Sequence, residues 1–409
     1  MTSRLILLLL AAASLYAVPL PRNYVVEHYD VKITPDFHAH KISGEVTIRF
    51  HPRIDRLNAL DLDAGGLEIS SVLDGQTPQW FERRDQILVV VLTRPVQSRE
   101  QRSITIRYQA GPAKGLVFFP DQIYTSFFTS DWMVCNDRPD ERSTLRLEVA
   151  APAGMRVAAT EHVDTPEPSF LYSFAVGTFA ESTTEAVGVK LRVLGTASVS
   201  EPTAAALRFF AERTGHAYAG VYTQVFAHGD VMQEAVGMTL LPESYGKNLA
   251  QHPDDLWLLA HELAHQWFAV GINCKDWTDF WLNEGLSSFM ADAFLERRYG
   301  KNRYEREIEN SRKIYEKIKA DGKDRALAYT GWETPQQAGG AVPYHKGAWV
   351  LHQLRRQVSD PVFWRGLQQY ISQSWGKAVV SDDFEKAVEA AAGKNLTKFF
   401  DRWVNGCCA

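Results

Sequence analysis

Cysteine is scarce in this chain of 409 residues, which contains only four. Cys135 and Cys274 stand alone, while Cys407 and Cys408 are adjacent. None of the four has the spacing of a structural zinc site. An exported protein could oxidise them, but spacing alone does not determine which pairs would form. The spacing therefore argues against a cysteine-bound structural metal and leaves the disulfide pairing open.

Excess charge and long apolar runs are also lacking. The formal net charge of −5 gives no reason to expect a nucleic-acid partner. One apolar run extends from Leu5 to Ala13, with Arg4 before it and the small Ala17 after it, which is typical of a secretory signal peptide. An uncleaved anchor is the alternative, but the run is short for a membrane span of ~20 residues. We predict a signal peptide over residues 1–17, a secreted or periplasmic protein, and no membrane span after signal removal.

The length and the residue pattern predict a two-domain α+β fold. A chain of this length is expected to form two or three domains, and its 45% hydrophobic content is ordinary for globular proteins. Apolar residues alternate in the first half, as at Val46, Ile48 and Phe50, which indicates strands. Helical patterns dominate the second half. We predict an antiparallel β domain over residues 18–197 and a mostly helical domain over residues 198–409.

The most informative stretch is His261-Glu262-Leu263-Ala264-His265. On a helix, His261 and His265 lie one turn apart on the same face, where two imidazoles can bind one Zn²⁺. Glu284 follows after a gap of eighteen residues and is predicted to supply a third ligand from the next helix. Two histidines and one glutamate leave a fourth position for water, which is the catalytic form of a zinc site. The alternative is a pair of helical histidines that only satisfy a core.

Two residues beside these ligands have predicted roles of their own. Glu262 would lie next to the metal, where a carboxylate can accept a proton from water and pass it to a leaving amine. Asn283 is predicted to be the N-cap of the second helix, which would put Glu284 in its first turn.

These motifs resemble the gluzincin aminopeptidases, the family of aminopeptidase N and leukotriene hydrolase. The resemblance rests on the run from His261 to Trp267, on the gap of eighteen residues, and on Trp281-Leu282-Asn283-Glu284-Gly285. Further segments that agree, in the family's order, are 137–140, 174–179, 342–347 and 399–404. The resemblance implies a saddle-like β domain followed by a thermolysin-like peptidase domain, with one zinc ion per chain and peptide substrates.

The same resemblance implies roles for particular residues. Tyr344 corresponds to the family tyrosine that donates a hydrogen bond to the oxyanion formed from the attacked carbonyl, and Tyr329 is the lesser candidate. Glu234 corresponds to the glutamate that binds the substrate's free amine. Gln233 replaces a methionine of the family motif and is expected to line the pocket for the first side chain. Thr125 occupies the position of a second amine-binding residue and cannot carry charge, so the amine anchor is expected to be weak.

Members of the family commonly carry a C-terminal helical domain that walls off the cleft. Because the chain ends at Ala409, the resemblance implies that this domain is absent and that the cleft is more open.

Three functions follow from these residues. The first is a zinc-dependent aminopeptidase. The second is a zinc hydrolase with weak selectivity for a free amine, either endopeptidase-like or active on another small substrate. The third is a non-catalytic binding protein on the same fold, against which the intact set of ligands and base argues.

Overall fold

A computed structural model describes residues 22–332 and 334–406. The predicted signal peptide over residues 1–17 lies outside the described residues, as do Cys407 and Cys408. In the described part of the chain, no helix is both long enough and apolar enough to cross a membrane.

The first half of the chain is built from strands in three sheets. The strands are β1 (Tyr24–Asp36), β2 (Lys41–Pro52), β3 (Leu57–Asp63), β4 (Glu68–Asp74), β5 (Thr77–Pro78), β6 (Trp80–Arg84), β7 (Ile87–Val96), β8 (Arg102–Ala110), β9 (Leu116–Phe118), β10 (Gln122–Thr125), β11 (Arg142–Val149), β12 (Arg156–Ala159), β13 (His162–Pro168) and β14 (Phe174–Gly177). Their orders are β13-β11-β1-β2-β8-β4-β5, β12-β14-β10-β9 and β3-β7-β6.

Alternating apolar residues form the core of this β domain, as the sequence predicts. Val46 and Ile48 of β2 are completely buried and lie opposite Ile106 and Ile104 of β8. β1 pairs antiparallel with β2, β2 with β8, and β11 with β13, whereas β1 and β11 run parallel. Because many residues separate β1 from β11 in sequence, they are joined by a long crossover, and a parallel pairing is available to them.

A mixed sheet connects the two halves of the chain. Its strands are β15 (Glu181–Ala186), β16 (Val189–Leu194), β17 (Gly220–Ala227), β18 (Gln233–Ala235) and β19 (Met238–Pro242), in the order β15-β16-β17-β19-β18. Helix α1 (Ser200–Thr214) makes the crossover between the parallel strands β16 and β17. The domain boundary after residue 197 stays a prediction, but the pairing of β15 and β16 with β17 favours a division between β14 and β15.

The second half is mostly helical, as predicted. Its helices are α2 (Glu243–Gln251), α3 (Trp257–Ala264), α4 (Trp281–Tyr299), α5 (Lys301–Ala320), α6 (Pro335–Ala338), α7 (Gly347–Val358), α8 (Asp360–Ser374), α9 (Ser381–Ala392) and α10 (Thr397–Phe400). Two π-helical turns, Val342–Lys346 and Asp401–Asn405, precede α7 and follow α10, and the two short strands β20 (Asn273–Cys274) and β21 (Ala378–Val379) pair with each other. Helix α4 is buried from Trp281 to Leu295 and forms the centre of this half.

The predicted capping role of Asn283 is wrong. Helix α4 already begins at Trp281, because Phe280 before it has helical backbone angles. The Asn283 side chain instead accepts a hydrogen bond from the backbone N–H of Cys274 (3.1 Å) and donates one to Asn273 Oδ1 (3.0 Å). Asn283 therefore ties α4 to β20.

Candidate metal centre and active site

Helices α3 and α4 bring the three predicted metal ligands together. His261 Nε2 and His265 Nε2 are 3.1 Å apart, and Glu284 Oε2 lies 3.3 and 3.4 Å from them. Tetrahedral ligands bound to zinc at 2.0–2.1 Å are separated by about 3.3–3.4 Å. The three side chains are at most 3% exposed. Their spacing and chemistry therefore fit one zinc ion.

Hydrogen bonds at the far side of each imidazole orient the rings. His265 Nδ1 donates to the carbonyl oxygen of Phe268 (3.0 Å) and lies 3.1 Å from Ser287 Oγ. His261 Nδ1 lies 3.3 Å from Ser288 Oγ. Such contacts leave both Nε2 atoms free to bind a metal and fix the planes of the rings.

The charges of the pocket also suit a cation. Burial lowers the pKa of His261 to about 4, so its imidazole is neutral at pH 7, as metal binding requires. Burial lowers the pKa of His265 as well, but the carboxylates of Glu234 and Glu284 outweigh this and raise it to about 10. Glu284 Oε2 is buried and has no hydrogen-bond partner among the described residues. The pocket therefore stabilises positive charge, which a divalent ion carries.

Aromatic rings stack on His261, the first of the predicted metal ligands. The ring centroids of Trp257 and His261 are 4.8 Å apart at an interplanar angle of 15°. Those of Tyr344 and His261 are 5.5 Å apart at 26°. The Trp257 indole N–H in turn donates to Asp292 Oδ1 (2.8 Å). These contacts hold the His261 ring and shield it from water.

Glu262 lies beside the ligands with its carboxylate facing the same pocket. A carboxylate oxygen of Glu262 lies within 4.8 Å of a ring nitrogen of His265 and of a Glu234 oxygen. Thr239 Oγ1 lies 3.4 Å from Glu262 Oε2 and donates its proton at shorter range, to the carbonyl oxygen of Gln233 (2.8 Å). Burial raises the pKa of Glu262 well above its ordinary value. A carboxylate with a raised pKa is a stronger proton acceptor near neutral pH.

Tyr344 reaches the pocket from the π-helical turn Val342–Lys346. Such turns are frequent at functional sites. Burial, reinforced by Glu284, raises the pKa of Tyr344, so its hydroxyl stays protonated and can donate a hydrogen bond. The alternative tyrosine, Tyr329, packs its ring against Trp332 with the centroids 4.9 Å apart. The geometry thus favours Tyr344 over Tyr329 as the donor.

Two glycines allow the Tyr344 turn to approach α4. A Cβ atom on Gly347 would lie 2.8 Å from Gly285 Cα, and one on Gly285 would lie 3.1 Å from Gly347 Cα. Any side chain at either position would push α7 away from α4. The pair of glycines therefore allows the turn that carries Tyr344 to pack closely against α4.

Strand β18 carries the two predicted substrate-binding residues along the edge of its sheet. Glu234 is 3% exposed, and its Oε1 has no hydrogen-bond partner among the described residues. Burial raises the pKa of Glu234 to about 7. Gln233 is completely buried, and its Oε1 accepts a hydrogen bond from the backbone N–H of Phe127 (2.6 Å), while its Nε2 has no partner in the described part of the chain. Glu234 thus places an unpaired carboxylate oxygen in the group that includes Glu262 and His265, while Gln233 is tied to the β domain through Phe127.

Gln266, the residue after the second histidine, fixes β18 relative to the metal ligands. Its Nε2 donates to the carbonyl oxygen of Ala235 (2.9 Å), and its Oε1 accepts from the backbone N–H of Gly237 (3.1 Å). One side chain at the end of α3 therefore holds the β18–β19 hairpin in place.

The β domain contributes no charged side chain at the predicted second amine site. Thr125 Oγ1 lies 2.9 Å from Ser173 Oγ and accepts a hydrogen bond from the backbone N–H of Phe174 (3.0 Å). Its hydroxyl is engaged within the β domain. The position predicted for a second amine-binding residue is therefore uncharged, as the sequence predicts.

Sequence reasoning missed several residues that support the site. Ser287 and Ser288 lie three and four positions after Glu284, so helical spacing alone could have placed them on its face. Thr239 faces Glu234 across the β18–β19 pair, which no local pattern indicates.

Comparisons with known proteins agree with this architecture. The family model for the peptidase M1 N-terminal domain matches residues 25–184, and that for the peptidase family M1 domain matches residues 235–403. A probable aminopeptidase 1 of Sulfurisphaera tokodaii is 24% identical over 93% of this chain, and aminopeptidase 2 of Candida albicans is 24% identical over 94%. The chain spans about half the length of each, 52% and 47%.

A solved structure matches both halves of the chain together. A mutant M1 zinc metallopeptidase from Deinococcus radiodurans, bound to a Tyr-Ser-Ala substrate, has a TM-score of 0.81 and 22% identity. The match covers 95% of this chain and 95% of that one. At this identity the likeness concerns the fold, which is a β-rich domain followed by a helical one.

Proposed function

Because the chain belongs to peptidase family M1, we propose that it is a zinc-dependent aminopeptidase that removes N-terminal residues from peptides. The proposal rests on one observation. Three side chains that could bind a metal, a buried proton acceptor and a carboxylate with an unpaired oxygen lie together in one pocket. The pocket consists of His261, His265 and Glu284 and would hold one zinc ion per chain. The proton acceptor is Glu262, and the unpaired carboxylate belongs to Glu234.

Glu262 is the general base of the proposed reaction. Zinc in the pocket would supply a Lewis acid that activates water and polarises the substrate carbonyl. Glu262 accepts the proton of the attacking water and then donates it to the leaving amine. Thr239 Oγ1 packs against one carboxylate oxygen of Glu262 at 3.4 Å, and the other oxygen is available for this transfer.

Tyr344 stabilises the charge that develops on the attacked carbonyl oxygen. Its hydroxyl remains protonated because of its raised pKa, and its ring is held against His261. A hydrogen bond to an oxyanion in a buried site contributes far more than the same bond in water.

Strand β18 would bind the N-terminal end of the substrate. The substrate's ammonium group would pair with the free oxygen of Glu234, which also favours the ionised form of that carboxylate. An extended peptide can hydrogen-bond to the open edge of such a strand. Gln233 would contact the first side chain. With the ammonium held one residue from the metal, only the first peptide bond reaches the reacting position.

The second candidate is a zinc hydrolase with weak selectivity for a free amine. The internal hydrogen bonds of Thr125 favour it, because they leave Glu234 without a second anionic partner for the ammonium. Matched peptides with free and with acetylated N-termini separate the two functions, since acetylation removes the charge that Glu234 would bind. Cleavage of only the peptides with a free N-terminus supports the aminopeptidase. Equal cleavage of the free and the acetylated peptides supports the second candidate. A zinc-loaded protein that cleaves neither would be a binding protein.

We also propose that the protein is exported, on the basis of the apolar run from Leu5 to Ala13. N-terminal sequencing of the mature protein tests this. A start near residue 18 in extracellular or periplasmic material is expected, and an intact N-terminus in the cytoplasm would contradict it.

A further inference from the structure

The ammonium group of Lys346 is completely buried two residues after Tyr344. Its Nζ donates to Asp324 Oδ1 (3.0 Å) and to the carbonyl oxygen of Arg325 (2.6 Å). The Lys346 and Asp324 side chains are 0% and 3% exposed. Tyr315 of α5 donates to Asp324 Oδ2 (3.3 Å), and its ring centroid is 5.4 Å from Lys346 Nζ. A hydrogen-bonded ion pair thus connects the turn that carries Tyr344 to the segment after α5.

Stability alone does not explain this ion pair. Removing two charges from water costs several kcal/mol per ion, and apolar side chains of similar size often give an equally stable protein. Buried ion pairs are retained in some proteins because they select one arrangement of the chain over its alternatives. The arrangement selected here is the π-helical turn Val342–Lys346.

The geometry of that turn explains why its arrangement affects Tyr344. Two positions along a helical turn correspond to roughly half a rotation, so Lys346 and Tyr344 lie on roughly opposite sides of the turn. Lys346 is held in the core while the Tyr344 ring stacks on His261. Relaxation of the π turn to an α-helix would shift the register by one residue and rotate Tyr344 by about 100°. The contact of Gly347 with Gly285 fixes the distance between the helices but not this register.

We propose that the Lys346–Asp324 ion pair is a positioning device for Tyr344. It holds the π turn in the register in which the Tyr344 hydroxyl reaches the oxyanion. In the proposed arrangement Lys346 and Asp324 contact neither substrate nor metal. They affect catalysis only through the position of Tyr344. The inference rests on the role of Tyr344 in the proposed function.

A double-mutant cycle tests the inference. The variant Lys346→Met/Asp324→Leu removes both charges together, so that neither is left buried and unpaired. We expect its kcat to fall by about 10- to 100-fold, because small misplacements of a catalytic group have effects of this size, with KM and zinc content close to those of the wild type. In a Tyr344→Phe background, the same double substitution should change kcat less than about twofold, because groups that act as a unit are not additive.

Three other outcomes of this experiment would overturn the inference. Equal losses of kcat in the two backgrounds would show a general structural role and overturn the inference, as would an unchanged kcat in the Tyr344 background. If Tyr344→Phe alone leaves kcat unchanged, the role of Tyr344 in the proposed function fails first and the inference falls with it.

Two further variants guard against misfolding and non-specific effects. Asp324→Asn keeps the shape of the side chain and removes one charge. It should give a smaller loss of kcat that also vanishes in the Tyr344→Phe background, and a wild-type kcat would contradict the inference. Lys301→Met/Glu305→Leu removes an exposed ion pair from α5 as a matched control and should leave kcat unchanged.

Discussion

The metal pocket and strand β18 are adjacent, but they differ in how many of their buried polar atoms lack a hydrogen-bond partner. In the pocket, both imidazole Nδ1 atoms have partners, and the ligand atom without one in the described chain is Glu284 Oε2, where a metal would bind. On β18, Glu234 Oε1 and Gln233 Nε2 are both buried without partners. Each such atom costs ~1–3 kcal/mol. A cation would satisfy the unpaired atom of the pocket, whereas β18 carries two unpaired atoms, of which the amine of the proposed substrate would satisfy Glu234 Oε1.

This difference predicts that the two regions control different steps. Substitutions around the metal pocket should change zinc binding or kcat, and substitutions on β18 should change which substrates are accepted. Four variants test this division, from the largest expected effect to the smallest.

The largest effect is expected for Glu262→Gln. The amide cannot accept the water proton, so kcat should fall by about 10²- to 10⁴-fold. Zinc content, measured by elemental analysis, should stay at the wild-type level because Glu262 is not a ligand. Glu305→Gln on the exposed face of α5 is the control and should be as active as wild type. Substantial turnover by Glu262→Gln would remove it from the mechanism.

Tyr344→Phe should lower kcat by about 10²- to 10³-fold and change KM little, because the hydroxyl acts mainly in the transition state. Steady-state kinetics on an aminoacyl reporter substrate measure both constants. Tyr299→Phe, at a partly exposed tyrosine of α4, is the control. A rise in KM without a fall in kcat would mean that Tyr344 binds the ground state instead.

Glu234→Gln should lower kcat/KM for peptides with a free amine by about 10- to 100-fold, since a hydrogen bond to a charged group contributes ~1.5–3 kcal/mol. Any slow cleavage of N-acetylated peptides should be unaffected, which serves as the internal control. The variant should keep a cooperative thermal unfolding transition, because the substitution keeps the shape of the side chain. Equal losses on both substrates would assign Glu234 to the chemical step.

Gly347→Ala should have the smallest effect on chemistry and a measurable effect on stability. The new methyl group would lie 2.8 Å from Gly285 Cα, and overpacking of this kind costs ~1–3 kcal/mol. Gly340→Ala is the matched control, since no heavy atom lies within 4 Å of a Cβ atom there. Denaturant unfolding measures both free energies of unfolding. Equal free energies of unfolding for the two variants would show that α4 and α7 can move apart without loss of stability.

The features predictable from the sequence are those that local periodicity determines. Helical spacing alone puts His261 and His265 on one face, and alternation alone makes Val46 and Ile48 core residues. Glu284 is further away in sequence and lies on the next helix. The gap of eighteen residues that precedes it is the spacing that the family resemblance implies.

The features that escaped prediction depend on contacts between distant segments. The sequence around Asn283 resembles a capping site, but a preceding helical turn lets α4 begin three residues earlier. The association of β15 and β16 with the second half depends on pairing with β17, which follows only after α1. Likewise, Thr239 contacts Glu262 only because the β18–β19 hairpin is held against α3.

Zinc stoichiometry tests the central claim most directly. Elemental analysis of dialysed, folded protein after zinc supplementation should give one zinc per chain, and His265→Ala should give much less while the β domain remains folded. Fully folded wild-type protein that takes up no zinc would contradict the account, because the three-ligand pocket would then have no metal to hold.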